Sequence, residues 1–116
     1  MLLGQAQTMK LIQCIIRQEK LDEIVDKLAG ISCGLTVFEV SGHGHQKGRP
    51  IVYRGAEYQM ALLPKVMIEI LAEDNEVDDL LKLVMESART GEIGDGRIFV
   101  LDVEAAYHIR SRFMDL

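Results

Sequence analysis

Tryptophan is absent, proline and cysteine occur twice each, and aromatic residues make up only 5% of the 116-residue chain. So few rings argue against a nucleic-acid platform, which stacks bases on aromatic side chains. Cys14 and Cys33 lie far apart and form no C-x-x-C pair. A buried, reduced thiol is therefore the expected state, with a disulfide or a metal site as the alternatives. No apolar run approaches the roughly 18 residues that a membrane span needs. Residues 1–8 lack a basic segment followed by an apolar one, so they do not read as a signal peptide. Cytoplasmic location without direct membrane insertion is the resulting expectation. Residues 1–8 read as a short N-terminal tail, and Met9 is an alternative start. Excess positive charge is lacking too. The formal net charge of −5 argues against general nucleic-acid binding but leaves room for a locally basic phosphate site.

What the chain does hold is ordinary globular material, 48% apolar and 27% charged. Its length favours a single domain over 1–116 whose core needs no disulfide or metal. Residues 9–16 are apolar and β-branched and read as a strand. Leu21, Ile24, Val25 and Leu28 recur at i, i+3, i+4 and i+7, one face of a helix that Gly30 is placed to end. Residues 35–40, 65–72 and 97–103 read as further strands. Val77, Leu80, Leu81, Val84, Met85 and Ala88 mark a second helix, with Asp74 or Asn75 as its N-cap. An irregular tail begins at Glu104. The order β-α-β, long connection, β-α-β predicts an α+β, ferredoxin-like βαββαβ fold: a four-stranded antiparallel sheet with both helices on one face.

In residues 65–72, Val66, Ile68 and Ile70 alternate with Met67, Glu69 and Leu71. In the last strand, Ile98 and Val100 alternate with Phe99, Leu101 and Val103. Both sides are largely apolar, whereas a sheet with one wet face alternates more cleanly. The helix-free face is therefore expected to be covered, most simply by other copies of the chain and alternatively by the tail.

Two connections carry chemistry. The first, about 43–60, is a stretch of about twenty residues without expected structure of its own, which is unusual inside a compact domain. It holds Gly44, Gly48 and Gly55 with His45, Lys47, Arg49 and Arg54 in an acidic chain. Gly44-His45-Gln46-Lys47-Gly48 suits a nest of backbone N–H groups around phosphate, although G-x-x-x-x-G-K-[ST] is absent. The second, Thr90-Gly91-Glu92-Ile93-Gly94-Asp95-Gly96-Arg97, holds more glycine than a helix C-cap needs. It suits a turn or a ligand loop equally.

Gln46-Lys47-Gly48, Tyr53-Arg54-Gly55-Ala56-Glu57-Tyr58, Leu63-Pro64-Lys65-Val66 and the run from Ala88 to Phe99 resemble the PII nitrogen-regulatory signal proteins, in the right order and across nearly the whole chain. In that family the two connections are the T-loop, here about 43–60 between the second and third strands of the main sheet, and the B-loop, here about 89–97. The resemblance implies a homotrimer with ATP or ADP in clefts between subunits, and 2-oxoglutarate bound beside Mg2+-ATP. It implies output through the T-loop to an ammonium channel, a nitrogen-metabolism enzyme or a regulator. Nucleotide positions are matched by Thr36, Gly44, His45, Gln46, Gly94, Asp95, Gly96, Arg97, His108 and Arg110. Gln46 matches the metal contact, and Gln46, Lys47, Gly48 and Lys65 the 2-oxoglutarate contacts; Lys47 and Glu69 match a bridging pair. Tyr58 matches a tyrosine that some bacteria uridylylate, and Tyr53, Arg54 and Tyr58, residue types typical of interface hot spots, are expected to bind the partner.

The chain departs from the family at three places. His45 and His108 stand where arginines near the phosphates are usual, and Arg110-Ser111-Arg112-Phe113 replaces Arg-Thr-Gly-Glu. Histidine is only partly charged near neutrality, so ATP binding is expected to take up protons and weaken as pH rises. Ala56 replaces a serine phosphorylated in some cyanobacterial members. An alternative is a diverged paralogue that senses adenylates without 2-oxoglutarate for a transporter or nitrogenase-related partner. An enzyme is not expected beyond slight ATPase activity, because no nucleophile-and-base, paired-carboxylate or His/Cys metal signature is present. His43 and His45 read as solvated loop histidines rather than metal ligands.

Overall fold

The computed structural model describes residues 8–31, 34–43, 51–53, 56–58 and 62–113, with 51–53 and 56–58 described as backbone only. The elements are β1 (Met9–Ile16), α1 (Leu21–Leu28), β2 (Leu35–Gly42), β3 (Ile51–Tyr53), β4 (Ala56–Tyr58), β5 (Leu63–Glu73), α2 (Val77–Ala88) and β6 (Gly96–Val103). The main sheet has the order β2-β5-β1-β6 and is antiparallel throughout. Ile12 faces Ile70 on one side and Val100 on the other, and Cys14 faces Ile68 and Ile98. This is the ferredoxin-like α+β fold.

Alternation builds the core. Ile12, Cys14 and Ile16 of β1 and Val66, Ile68, Ile70 and Ala72 of β5 turn to one face. There they meet Ile24 and Leu28 of α1 and Leu80, Val84 and Ala88 of α2, so both helices cover the same side. Ile12, Ile24, Leu28, Ile68, Ile70 and Leu80 are completely buried. Each such side chain contributes about 1.5–3 kcal/mol of transfer free energy. The Cys14 thiol lies free in this core, the buried, reduced state expected for it, and burial pushes its pKa up to about 11. Cys33 lies outside the described residues.

The opposite face carries Leu11 and Ile15 of β1, Phe38 of β2, Met67 and Leu71 of β5, and Phe99 and Leu101 of β6 by the same alternation. Phe38, Phe99 and Leu101 each stay about 40% exposed. The described part of the tail covers this face only in part, with His108 in a cleft lined by Leu11 and Leu71. Its end also folds on itself: Arg112 N–H donates to His108 O at 2.8 Å and His108 N–H to Phe113 O at 2.9 Å.

Two expectations need correction. The long connection is not wholly without structure, because β3 and β4 pair as a short antiparallel ladder, Ile51 with Tyr58 and Tyr53 with Ala56. The second helix is not capped by Asp74 or Asn75. Both fall within a 3-10 turn, Asp74–Glu76, that leads into α2. Glu73 precedes that turn in an extended conformation, and its N–H donates to Glu76 Oε1 at 2.9 Å. An acid at the third position of a turn can reach back to an orphan N–H, and here it takes the place of a short capping side chain.

Candidate functional site

The register of the sheet puts Gly96 beside Ile16 and Ile16 beside Val66, so one end of the sheet gathers three chain segments. Arg17 follows β1, Lys65 sits near the start of β5, and the loop from Arg89 leads into β6. The loop is closed by its own acid. Asp95 Oδ2 accepts from Thr90 N–H at 2.8 Å and from Gly91 N–H at 2.9 Å. Asp95 Oδ1 accepts from the Thr90 hydroxyl, and from Arg17 Nε at 3.1 Å. The Thr90 hydroxyl, the two amides and the guanidinium hold the Asp95 carboxyl well below the usual carboxylate range. Gly91 at φ +89° and Gly94 at φ +101° take left-handed turns that glycine makes without strain.

Two cations brace this loop from the sheet. Arg17 Nη2 donates to Ile93 O at 3.0 Å while its Nε holds Asp95. Lys65 Nζ donates to Gly94 O at 2.6 Å. Lys65 is only 6% exposed, yet no carboxylate among the described residues pairs with it. Burial, and then the neighbouring Arg17 charge, lowers its pKa, while the fields of Glu19 and Asp95 oppose that shift. A cleft of about 530 Å³ opens here between Arg17, Glu19, Leu63 and residues 90–93. A buried cation with no ion-pair partner among the described residues, beside a turn-rich glycine loop, fits an anionic ligand, phosphate or carboxylate. Among the described residues no group of three or more His, Cys, Asp or Glu side chains is placed to hold a metal.

The residues singled out in the sequence fall into separate sets. Lys65, Gly94, Asp95, Gly96 and Arg97 come together at the loop end of the sheet. Gly96 is fixed there by contact, since a Cβ on it would stand 1.7 Å from Ile15 O. Thr36 and His108 lie apart, in a second cleft of about 410 Å³ shared with Glu69, Glu73 and Glu76. Thr36 belongs to the edge strand β2 and Arg97 to the opposite edge β6. Three inter-strand spacings separate those edges, about 14 Å. Arg110 is exposed in the tail. Gly44, His45, Gln46, Lys47, Gly48 and Arg54 lie outside the described residues, and only the backbone of Tyr53 and Tyr58 is described. Glu69, paired in expectation with Lys47, accepts from Gln13 Nε2 at 2.7 Å.

Arg17 was missed by sequence reasoning. Its position after a strand carries no signal until the pairing of Ile16 with Gly96 brings the loop to it.

Comparison with known proteins adds a second line of support. The sequence matches the family model described as nitrogen regulatory protein P-II over residues 9–112. It is 49% identical over 104 residues to the nitrogen regulatory protein P-II of Pasteurella multocida (strain Pm70), spanning 89% of this chain and 93% of that protein. Identity is 46% with the nitrogen regulatory protein P-II of Haemophilus influenzae over the same shares. It is 48%, again over those shares, with the nitrogen regulatory protein P-II 1 of Escherichia coli (strain K12).

Proposed function

The chain belongs to the nitrogen regulatory protein P-II family, and from that premise we propose that it is a cytoplasmic nitrogen-regulatory signalling protein that binds ATP or ADP between the subunits of a homotrimer. Mg2+-ATP and 2-oxoglutarate set its state, and the T-loop passes that state to a partner, an ammonium channel or a nitrogen-metabolism enzyme or regulator. It acts by binding, as the regulatory names of its relatives suggest, and not as an enzyme. No helix among the described residues is long and apolar enough to cross a membrane.

The observation that carries this reading is Lys65, a buried cation held against Gly94 O with no carboxylate partner among the described residues. Its charge supplies what the distal carboxylate of 2-oxoglutarate needs, and the adjoining loop supplies backbone groups for phosphate. Gln46, Lys47 and Gly48 complete the acid site in this reading, with Gln46 also on the metal. The open apolar face around Phe38, Phe99 and Leu101 supports assembly. The placement of Thr36 and Arg97 on opposite edges supports a ring in which one copy's β2 edge meets the next copy's β6 edge.

A second reading has its own observation. His108 shares its cleft with Glu69, Glu73 and Glu76, a surrounding that opposes a polyphosphate. That favours the diverged paralogue, which keeps ADP or AMP and loses ATP-linked 2-oxoglutarate. Titration calorimetry with ATP, ADP and 2-oxoglutarate in the presence of Mg2+ separates the two. Uptake of 2-oxoglutarate only with Mg2+-ATP supports the first reading, and adenylate binding without any 2-oxoglutarate supports the second.

A further inference from the structure

Asp95 is an awkward member of a phosphate loop. A carboxylate only accepts hydrogen bonds and its charge repels phosphate. Its geometry resolves the conflict. Both oxygens point back into the loop and take Thr90 N–H, Gly91 N–H, the Thr90 hydroxyl and Arg17 Nε. Arg17 is the only member of that set that brings a positive charge, and the only one from outside the loop. Its second nitrogen holds Ile93 O at 3.0 Å, so one planar group spans the segment from Ile93 to Asp95. Both side chains of the ion pair are about three-quarters covered, at 23% and 24% exposure. A solvated surface pair would be worth little, whereas a covered, two-point guanidinium fixes geometry.

We propose that Arg17 is a positioning residue for the ligand site: it fastens the Thr90–Asp95 turn in the form that presents Gly94, Gly96 and Arg97, and it cancels the Asp95 charge that would otherwise face an incoming phosphate. The inference rests on the nucleotide-binding reading above, and it assigns Arg17 no contact with the ligand. Lysine cannot replace it fully, because one ammonium on a flexible stem supplies the charge without the fork. Lys65 does not duplicate it, because its bond goes to Gly94 O, between the two points that Arg17 holds.

The test compares wild type, Arg17→Ala and Arg17→Lys in the full chain. Amide exchange at Thr90 and Gly91 and the Asp95 carboxyl titration are followed by NMR, and ATP and ADP affinity by calorimetry. Arg17→Ala should speed exchange at both amides, raise the Asp95 pKa and weaken both nucleotides by about tenfold or more. Arg17→Lys should restore most of the Asp95 titration but only part of the exchange protection and affinity. Unchanged exchange in Arg17→Ala would overturn the proposal, as would lost protection with unchanged affinity. Should Arg17→Ala not fold, Arg17→Lys with wild-type protection and affinity would overturn it equally. A wild-type protein that binds neither nucleotide contradicts the nucleotide reading instead, and the exchange measurement then still decides whether Arg17 fastens the turn.

Discussion

Lys65 Nζ and Gly94 O stand 2.6 Å apart, so a buried ammonium at the start of β5 is bonded to the middle of the loop that leads into β6. An ammonium has two further donors to offer an acid ligand. Replacing Lys65 by Met keeps the length of the stem and removes the charge. The substitution leaves Gly94 O without this donor but also removes a buried cation that has no ion-pair partner among the described residues, and the two effects oppose each other. Lys65→Met is expected to change unfolding free energy by no more than about 1 kcal/mol and to abolish 2-oxoglutarate binding in calorimetry with Mg2+-ATP. Retained binding would place the acid site elsewhere.

Gly96 is irreplaceable for two reasons. Its φ of +116° strains any side-chain-bearing residue, and an added Cβ would collide with Ile15 O at 1.7 Å. The neighbour is backbone of a central strand, so it cannot swing away. Gly96→Ala should cost about 3 kcal/mol. Urea unfolding will show this as a lower midpoint, and a loss under half a kcal/mol, roughly the scatter of neutral surface changes, would contradict the packing.

Asp95 gives a pH signature. Its folded-state pKa lies below the ordinary aspartate value because its ionised form collects the Thr90 hydroxyl, the Thr90 and Gly91 amides and Arg17. The stability it contributes is therefore in place above the unfolded value of about 3.9 and is lost as pH falls through the folded value. Asp95→Asn is expected to destabilise by about 1–2 kcal/mol at neutral pH, with the gap to wild type closing on acidification below about pH 4. Denaturant midpoints at neutral and acid pH measure the gap. A penalty that stays constant across that range would mean that the ionised carboxylate does not organise the turn.

Cys14 behaves oppositely. Burial raises its thiol to about 11. The neutral thiol is the folded form, so its contribution is intact below the unfolded value of about 8.5 and declines only as pH climbs towards the folded one. Alkylation at about pH 8 followed by peptide mapping should leave Cys14 unmodified in the native protein and modified in denaturant. Rapid labelling of the native state would show that the core opens.

The main elements were legible because their periods are long and consistent. Residues 9–16 are a strand as expected, and Leu21, Ile24, Val25 and Leu28 lie on one helix. Strand ends were less legible: β5 begins two residues before Lys65 and ends one beyond Ala72, and β2 runs on to Gly42. The β3–β4 ladder escaped because three-residue strands are too short to display alternation. Glu73 and Glu76 escaped because a 3-10 turn shifts the cap one residue upstream of the expected aspartate. The glycine loop was legible as a candidate site by composition, but the inward turn of Asp95 and the bracing by Arg17 depend on strand register. Register follows from which faces are buried together, not from any local pattern.

The central claim, a nucleotide sensor assembled from copies of this chain, is tested most directly by native mass spectrometry of the protein at micromolar concentration with and without Mg2+-ATP or ADP. A trimer is expected in every condition, with mass increments for up to three bound nucleotides. A monomer, or a trimer that takes up no nucleotide, would contradict it.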